Sequence, residues 1–205
     1  MDDGEFQSIY QEFQPKIHRY LTRMLGEDES EDLTQEVFAK VSAALADFRG
    51  ESTLSTWIYR IATHAAIDRL RSPSFQHGIR SRNLEEALEQ QGVELADRDA
   101  WSGEKLLTTE QGLVRKQMND CIRDFIEKLP ENYRTVLVLS ELEGLSDREI
   151  SEILGISLNS VKIRLHRARQ KLRVELVTHC DSYWLEGNEF VPDLKNALEE
   201  FKKLS

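Results

Sequence analysis

Cysteine, proline and long apolar runs are all scarce in this chain, and each shortage excludes a class of protein. Two Cys among 205 residues cannot make a disulfide framework, which points to a reducing compartment. No apolar stretch approaches the roughly 18 residues of a membrane span. The opening Met1-Asp2-Asp3-Gly4-Glu5 lacks the basic and then apolar layout of a signal peptide. Also missing are a P-loop, GxGxxG, GxSxG, HExxH and any convergent set of His, Cys and carboxylates, so an enzyme finds no support. His179 and Cys180 are adjacent but have no CxxC or HxxxC partner, and structural zinc takes four ligands. The expectation is a soluble, cytoplasmic, non-enzymatic protein with no metal or cofactor.

Charge of one sign is the next shortage. Lys+Arg number 27 against 37 Asp+Glu, a net charge of -10, which on average disfavours a free-standing nucleic-acid binder. The average hides a local cation. Residues 1–71 carry -5, 72–120 carry -3, 121–178 carry +1 and 179–205 carry -3. Within the third block Lys162, Arg164, Arg167, Arg169, Lys171 and Arg173 occur with no acid among them.

What is abundant is helical periodicity. Phe6, Ile9, Tyr10, Phe13, Ile17, Tyr20, Leu21 and Met24 recur at three and four, one face of an amphipathic helix that Pro15 should kink or split. Asp28 and Glu31 resemble a capping box ahead of Leu33, Val37, Val41, Ala44, Leu45 and Phe48, with Gly50 closing that helix. Ser52 or Thr53 can cap a third helix, with Leu54, Trp57, Ile58, Ile61 and Ala65 inward and its end before Ser72-Pro73. From 72 to about 113 periodicity is weak and punctuators are many; only Leu84 to Gln91 suggests a short helix, so the stretch reads as an acidic linker.

A second unit spans 114–178. Cys121, Ile122, Phe125, Ile126 and Leu129 give one helix, and Tyr133, Val136, Leu137 and Leu142 give another ended by Gly144. Ser146-Asp147-Arg148-Glu149 is a capping box, Gly155 sits where a helix C-terminus turns, and Ser157 caps a last helix with Val161, Leu165, Ala168 and Leu172 inward. That is a helix-turn-helix. The fold class expected is all-α: two small helical domains joined by a flexible linker, the second a four-helix domain. The extension 179–205 contains Tyr183, Trp184, Leu185, Phe190 and a final amphipathic pattern suited to docking, whether on the chain itself or on a regulator.

In a helix-turn-helix the N-terminal part of the second helix enters the major groove. Asn159, Ser160, Lys162, Ile163, His166 and Arg167 face outward there. Lys and Arg can donate to guanine O6 and N7, and Ile163 offers apolar contact to a thymine methyl. Arg169, Lys171 and Arg173 suit phosphate. Neutralising about six phosphates would give a slope of log K against log salt of roughly -5.

The motifs Glu31-Asp32-Leu33-Thr34-Gln35-Glu36-Val37-Phe38, Phe48-Arg49-Gly50, Ser55-Thr56-Trp57-Ile58-Tyr59-Arg60-Ile61-Ala62 with Ala66-Ile67-Asp68-Arg69-Leu70-Arg71, and Leu129-Pro130 through Arg173 together resemble the bacterial sigma factors of the extracytoplasmic-function group. The match covers both units in order. The resemblance implies an initiation factor docking on core RNA polymerase, with Asp32, Gln35 and Glu36 on the clamp of the largest subunit. It implies that residues 1–71 are region 2, where Phe48, Arg49, Arg60, His64, Arg69 and Arg71 capture the single-stranded minus-ten element, a task needing a pocket and cations. It implies that 114–178 is region 4, reading the minus-thirty-five duplex, that the linker 72–113 runs through the polymerase, and that an anti-sigma factor controls the chain. Trp57 shares the apolar face of Leu54 and Ile61 and reads as core. The sequence departs from the family pattern at His64, Ser151 and Ile163, usually Asn, often Ala and often Ser. The alternative, a stand-alone helix-turn-helix regulator on duplex operators, leaves the motifs at 31–38 and 55–62 without a role.

Overall fold

The structure, a computed structural model, describes residues 3–77 and 122–179. All regular elements among them are helical. The expected helix at 84–91, the starts of the second unit at Val114 and of its first helix at Cys121, and the docking pattern beyond His179 lie outside the described residues.

Helix α1 spans Asp3–Leu25, α2 Glu27–Ala44 and α3 Leu54–Arg71. Pro15 does not split α1. It stands on the exposed side, where water can take the carbonyl that its missing N–H leaves unpaired. The Asp28–Glu31 capping box does not form. Gly26 at φ 91° turns the chain directly into Glu27, with no side-chain cap, so Asp28 lies within the first turn beside Glu27 and Glu29. These three acids suit the positive end of the helix dipole. A 3₁₀ turn, Leu45–Asp47, follows α2, and Gly50 sits beyond it in the loop at φ 71°. Thr53 caps α3, its Oγ1 accepting from the Thr56 N–H at 3.1 Å.

The first core joins Ile9, Phe13, Ile17, Tyr20, Leu21 and Met24 of α1 to Leu33, Val37, Phe38 and Val41 of α2. The buried side of α3 is Thr56, Ile58, Tyr59, Ala62, Thr63, Ala65, Ala66 and Leu70, so Ile58 and Ala65 are inward as expected, while Leu54, Trp57 and Ile61 are half-buried at its edge. The difference has a physical source: α3 packs against α1 and α2 on one side and the second unit on the other, so its apolar face is wider than one stripe. Its buried Thr63 hydroxyl meets the Tyr20 hydroxyl at 2.9 Å, which satisfies both groups. Past Arg71 the chain makes a further helical turn, 73–77, that seats Phe75 in the core.

The second unit comprises α4 (122–128), α5 (Glu131–Leu137), α6 (Asp147–Leu154) and α7 (Leu158–His179). A π-helical turn, Val138–Leu142, prolongs α5, and Gly144 at φ 71° ends it. The Ser146–Glu149 capping box closes in both directions, and Gly155 takes the left-handed conformation at φ 62°. The tight turn between α6 and α7 has a tie not read from the sequence: Ser151 Oγ donates to the Ile156 carbonyl at 2.6 Å. Ser151→Ala should lower stability by about 1 kcal/mol, measured by denaturant unfolding, because it removes one partner of a half-buried hydrogen bond. No loss would make the tie incidental.

The two units touch. α3 lies against α6, and α1 meets the π turn. Arg134 of α5 donates to the Met24 carbonyl near the end of α1 at 3.0 Å and also holds the Glu127 carbonyl, and burial lowers its pKa.

Candidate nucleic-acid and polymerase surfaces

α7 is fixed by its buried side, Val161, Leu165, Ala168 and Leu172, and by its start. Ser157 Oγ accepts from the Ser160 N–H at 3.2 Å, and the Ser160 hydroxyl is 2.8 Å from that of Ser157. The hydroxyl of Ser160 therefore belongs to the cap as much as to the outward face. Asn159, Lys162, Ile163, His166 and Arg167 are exposed side by side along the outward face. Ile163 is 43% exposed, an apolar side chain in a row of polar ones that gains from covering by another apolar group. Arg169 is also exposed, but its guanidinium engages the Glu141 carboxylate of the π turn, with Nε at 2.9 Å. The ion pair holds Arg169 toward the π turn, at the flank of that outward face.

A second, different concavity lies beside the start of α3. Phe48, Arg49, Trp57 and Arg60, with Asp47, Glu51 and Ser52, line about 220 Å³. The Phe48 and Trp57 ring centroids are 5.1 Å apart. Trp57, read from the sequence as core, is half-buried and forms a wall of this pocket as well as backing the core. An aromatic wall beside guanidinium groups is what a single-stranded base and its phosphate require.

The other three residues expected here do not line the pocket. His64 is exposed one turn beyond Arg60 on α3. Arg69 is engaged by Glu29 at 2.6 Å and Glu36 at 2.9 Å, both on α2. Arg71 is held by both oxygens of Glu131 at 2.7 and 2.8 Å, and that carboxylate raises its pKa. These arginines stand about 14–17 Å along the helix from Arg60, so they can meet only a strand that continues past the pocket.

Asp32, Gln35 and Glu36 are exposed together on α2, three and four residues apart as neighbours on one helix face. Because Glu36 also binds Arg69, this face is tied to the far end of α3. Among the described residues there is no cluster of three or more His, Cys, Asp or Glu able to hold a metal; Cys180 lies outside them. The larger groove, about 580 Å³, follows the seam between the units, with His18, Arg19, Arg23, Arg123 and Leu142 on its walls. It shares no lining residue with the pocket of Phe48 and Trp57.

Comparison with known proteins shows the family. Residues 9–75 match the family model described as Sigma-70 region 2, and 119–172 match Sigma-70, region 4. The chain is 35% identical over 176 residues to the ECF RNA polymerase sigma factor SigW of Bacillus subtilis, covering 85% of this chain and 90% of that protein. It is 31% identical to the ECF RNA polymerase sigma-E factor of Haemophilus influenzae, covering 83% and 87%. Two solved structures share the fold. One is the sigma factor RpoE with the anti-sigma factor NepR from Bartonella quintana, with TM-score 0.57, 19% identity and coverage of 85% and 98%. The other is CnrH with the cytosolic domain of CnrY, with TM-score 0.58, 21% identity and coverage of 87% and 91%.

Proposed function

Because this chain belongs to the extracytoplasmic-function sigma factors of the sigma-70 family, we propose a division of labour among its surfaces in promoter-specific initiation by core RNA polymerase. Asp32, Gln35 and Glu36 meet the clamp of the largest subunit. The pocket of Phe48, Arg49, Trp57 and Arg60 takes an unstacked base of the minus-ten element, with His64 beside the strand. Arg69 and Arg71 follow it once their carboxylate partners yield. Asn159, Lys162, Ile163, His166 and Arg167 read the minus-thirty-five duplex, and Arg169 holds a phosphate.

The observation that carries this reading is that one chain bears two surfaces of different kinds, an aromatic pocket edged by guanidinium groups, which suits a single strand, and an exposed helix face with several cations, which suits a duplex. A duplex-only regulator has no use for the pocket. Bond formation belongs to the polymerase, and no reaction is assigned to this chain. No described helix is long and apolar enough to cross a membrane, and the proposed work is in the cytoplasm, where the promoters are. The two solved relatives are bound to an anti-sigma factor or to the cytosolic domain of a partner, which supports control of this chain by an anti-sigma factor as well.

Reconstitution tests the reading. Added to core polymerase on genomic DNA, the chain should produce transcripts that start at a small set of positions and vanish without it. Tight sequence-specific duplex binding without polymerase, and no transcripts with it, would support the stand-alone regulator instead.

A further inference from the structure

The contact between the two units centres on one carboxylate. Glu143, just past the π turn, accepts from Arg23 Nη1 of α1 at 2.7 Å through Oε1 and from the Tyr59 hydroxyl of α3 at 2.7 Å through Oε2. Arg23 Nη1 also donates to the Leu142 carbonyl at 3.1 Å. The Arg23 and Glu143 side chains are only 8% and 2% exposed. Burial lowers the Arg23 pKa, opposed by the Glu143 charge, and raises that of Tyr59. A buried charge pair adds little net stability against apolar packing, but it tolerates only one arrangement of its partners, and losing either partner is costly. Glu143 therefore selects how the units sit together more than it holds either one folded.

That arrangement conflicts with promoter binding in two ways. First, Arg60, a wall of the minus-ten pocket, donates through Nε to the Glu152 carbonyl of α6 at 3.1 Å, and Arg71 is taken by Glu131 of α5. The helix-turn-helix unit thus occupies hydrogen-bonding groups proposed for the single strand. Second, elements named minus-ten and minus-thirty-five lie about 25 base pairs apart, about 85 Å along duplex DNA at 3.4 Å per pair. Units of 60 to 75 residues are each only about 25–30 Å across, so docked against each other they cannot reach both elements. The 44 residues between 77 and 122 could span about 145 Å if fully extended, which leaves ample reach once the units separate.

We propose that Glu143 is a latch, holding the two units of this chain in a closed form that cannot engage a promoter, and that release of Arg23 and Tyr59 from Glu143 is required for activity. The latch rests on the sigma-factor reading for its consequence but not for its existence. A polymerase that must hold the two units apart to reach both elements takes only the open form, so its apparent affinity for the chain scales with the open fraction. Loosening the latch raises that affinity without touching any residue that meets polymerase or DNA.

The test uses the full chain with donor and acceptor dyes on exposed positions of α1 and α7, comparing wild type with Glu143→Gln and, as a milder change, Tyr59→Phe. Glu143→Gln keeps the shape and removes the charge from Arg23; Tyr59→Phe removes one donor and leaves the ion pair. Circular dichroism and thermal melts establish that each variant is folded; should Glu143→Gln fail there, Tyr59→Phe carries the comparison. The expected result is a larger inter-unit distance in the free protein, an affinity for core polymerase about tenfold tighter for Glu143→Gln and a smaller gain for Tyr59→Phe, with matching rises in transcript yield at limiting chain. Unchanged distances in folded variants would overturn the latch. Wider separation with no gain in polymerase affinity would overturn its role in control. If the variants open but neither they nor wild type direct any transcript, the sigma-factor reading fails and the contact alone stands.

Discussion

Replacing Asp32 and Gln35 by Lys should weaken binding to core polymerase by about 100-fold while leaving the chain folded. Both side chains are exposed on α2, away from the buried Leu33, Val37, Phe38 and Val41, and neither makes an ion pair that holds α2 to α3. Glu36 does make one, with Arg69, so it is left in place to keep the loss from being a packing effect. An interface that meets Asp32 with a cation loses a charge-assisted contact and gains a like-charge opposition. Truncating one partner of a buried interfacial charge pair alone costs about 2–5 kcal/mol, and 2.7 kcal/mol corresponds to about 100-fold. Equilibrium binding to core polymerase, with a thermal melt of the free chain alongside, reads both halves of the statement. Undiminished binding would remove this face of α2 from the polymerase contact.

The second large effect is expected at the other end of the chain. Arg167→Ala should reduce binding of the holoenzyme to its minus-thirty-five element by about 1–3 kcal/mol, the cost of losing a base-reading arginine. Arg167 is exposed on α7 while Val161, Leu165 and Ala168 pin the helix from beneath, so the substitution leaves the scaffold untouched. Discrimination separates its roles. If Arg167 reads a base, the loss is confined to the cognate element and shrinks on a scrambled one. If the loss is equal on both, Arg167 is a phosphate contact, like the role proposed for Arg169 in the grip of Glu141.

Much of the architecture could be read in the sequence because it depends on local rules. The Ser146–Glu149 box, the left-handed Gly155, the Thr53 and Ser157 caps and the inward set of α7 all follow from residues within four positions of one another. Local pattern also misled where two signals competed. Asp28 and Glu31 have capping-box spacing, yet Gly26 two residues earlier can adopt a positive φ, and the helix starts from it. Pro15 lies in an apolar pattern strong enough to carry the helix past it. The π turn leaves no mark in a three-to-four apolar repeat.

The candidate surfaces divide the same way. Exposure along α7 and the gathering of Phe48, Arg49 and Arg60 follow from helix phase and loop position. What composition could not reveal is which cations are already engaged: Arg69 with Glu29 and Glu36, Arg71 with Glu131, Arg169 with Glu141, Arg60 with a carbonyl of α6. These partners lie 28 to 92 positions away, beyond any local rule. The net charge of -10 does not tell where the carboxylates sit. Negative charge is spread along the chain, but several carboxylates sit directly on the arginines proposed for DNA.

The central claim is that this chain recognises promoters as part of polymerase and not alone. Footprinting at one salt concentration, with the chain alone, core polymerase alone and the two combined on a promoter found by reconstitution, tests it most directly. Protection of two blocks about 25 base pairs apart is expected only in the combined sample. The same two blocks protected by the chain alone, or no difference between core polymerase with and without the chain, would contradict it.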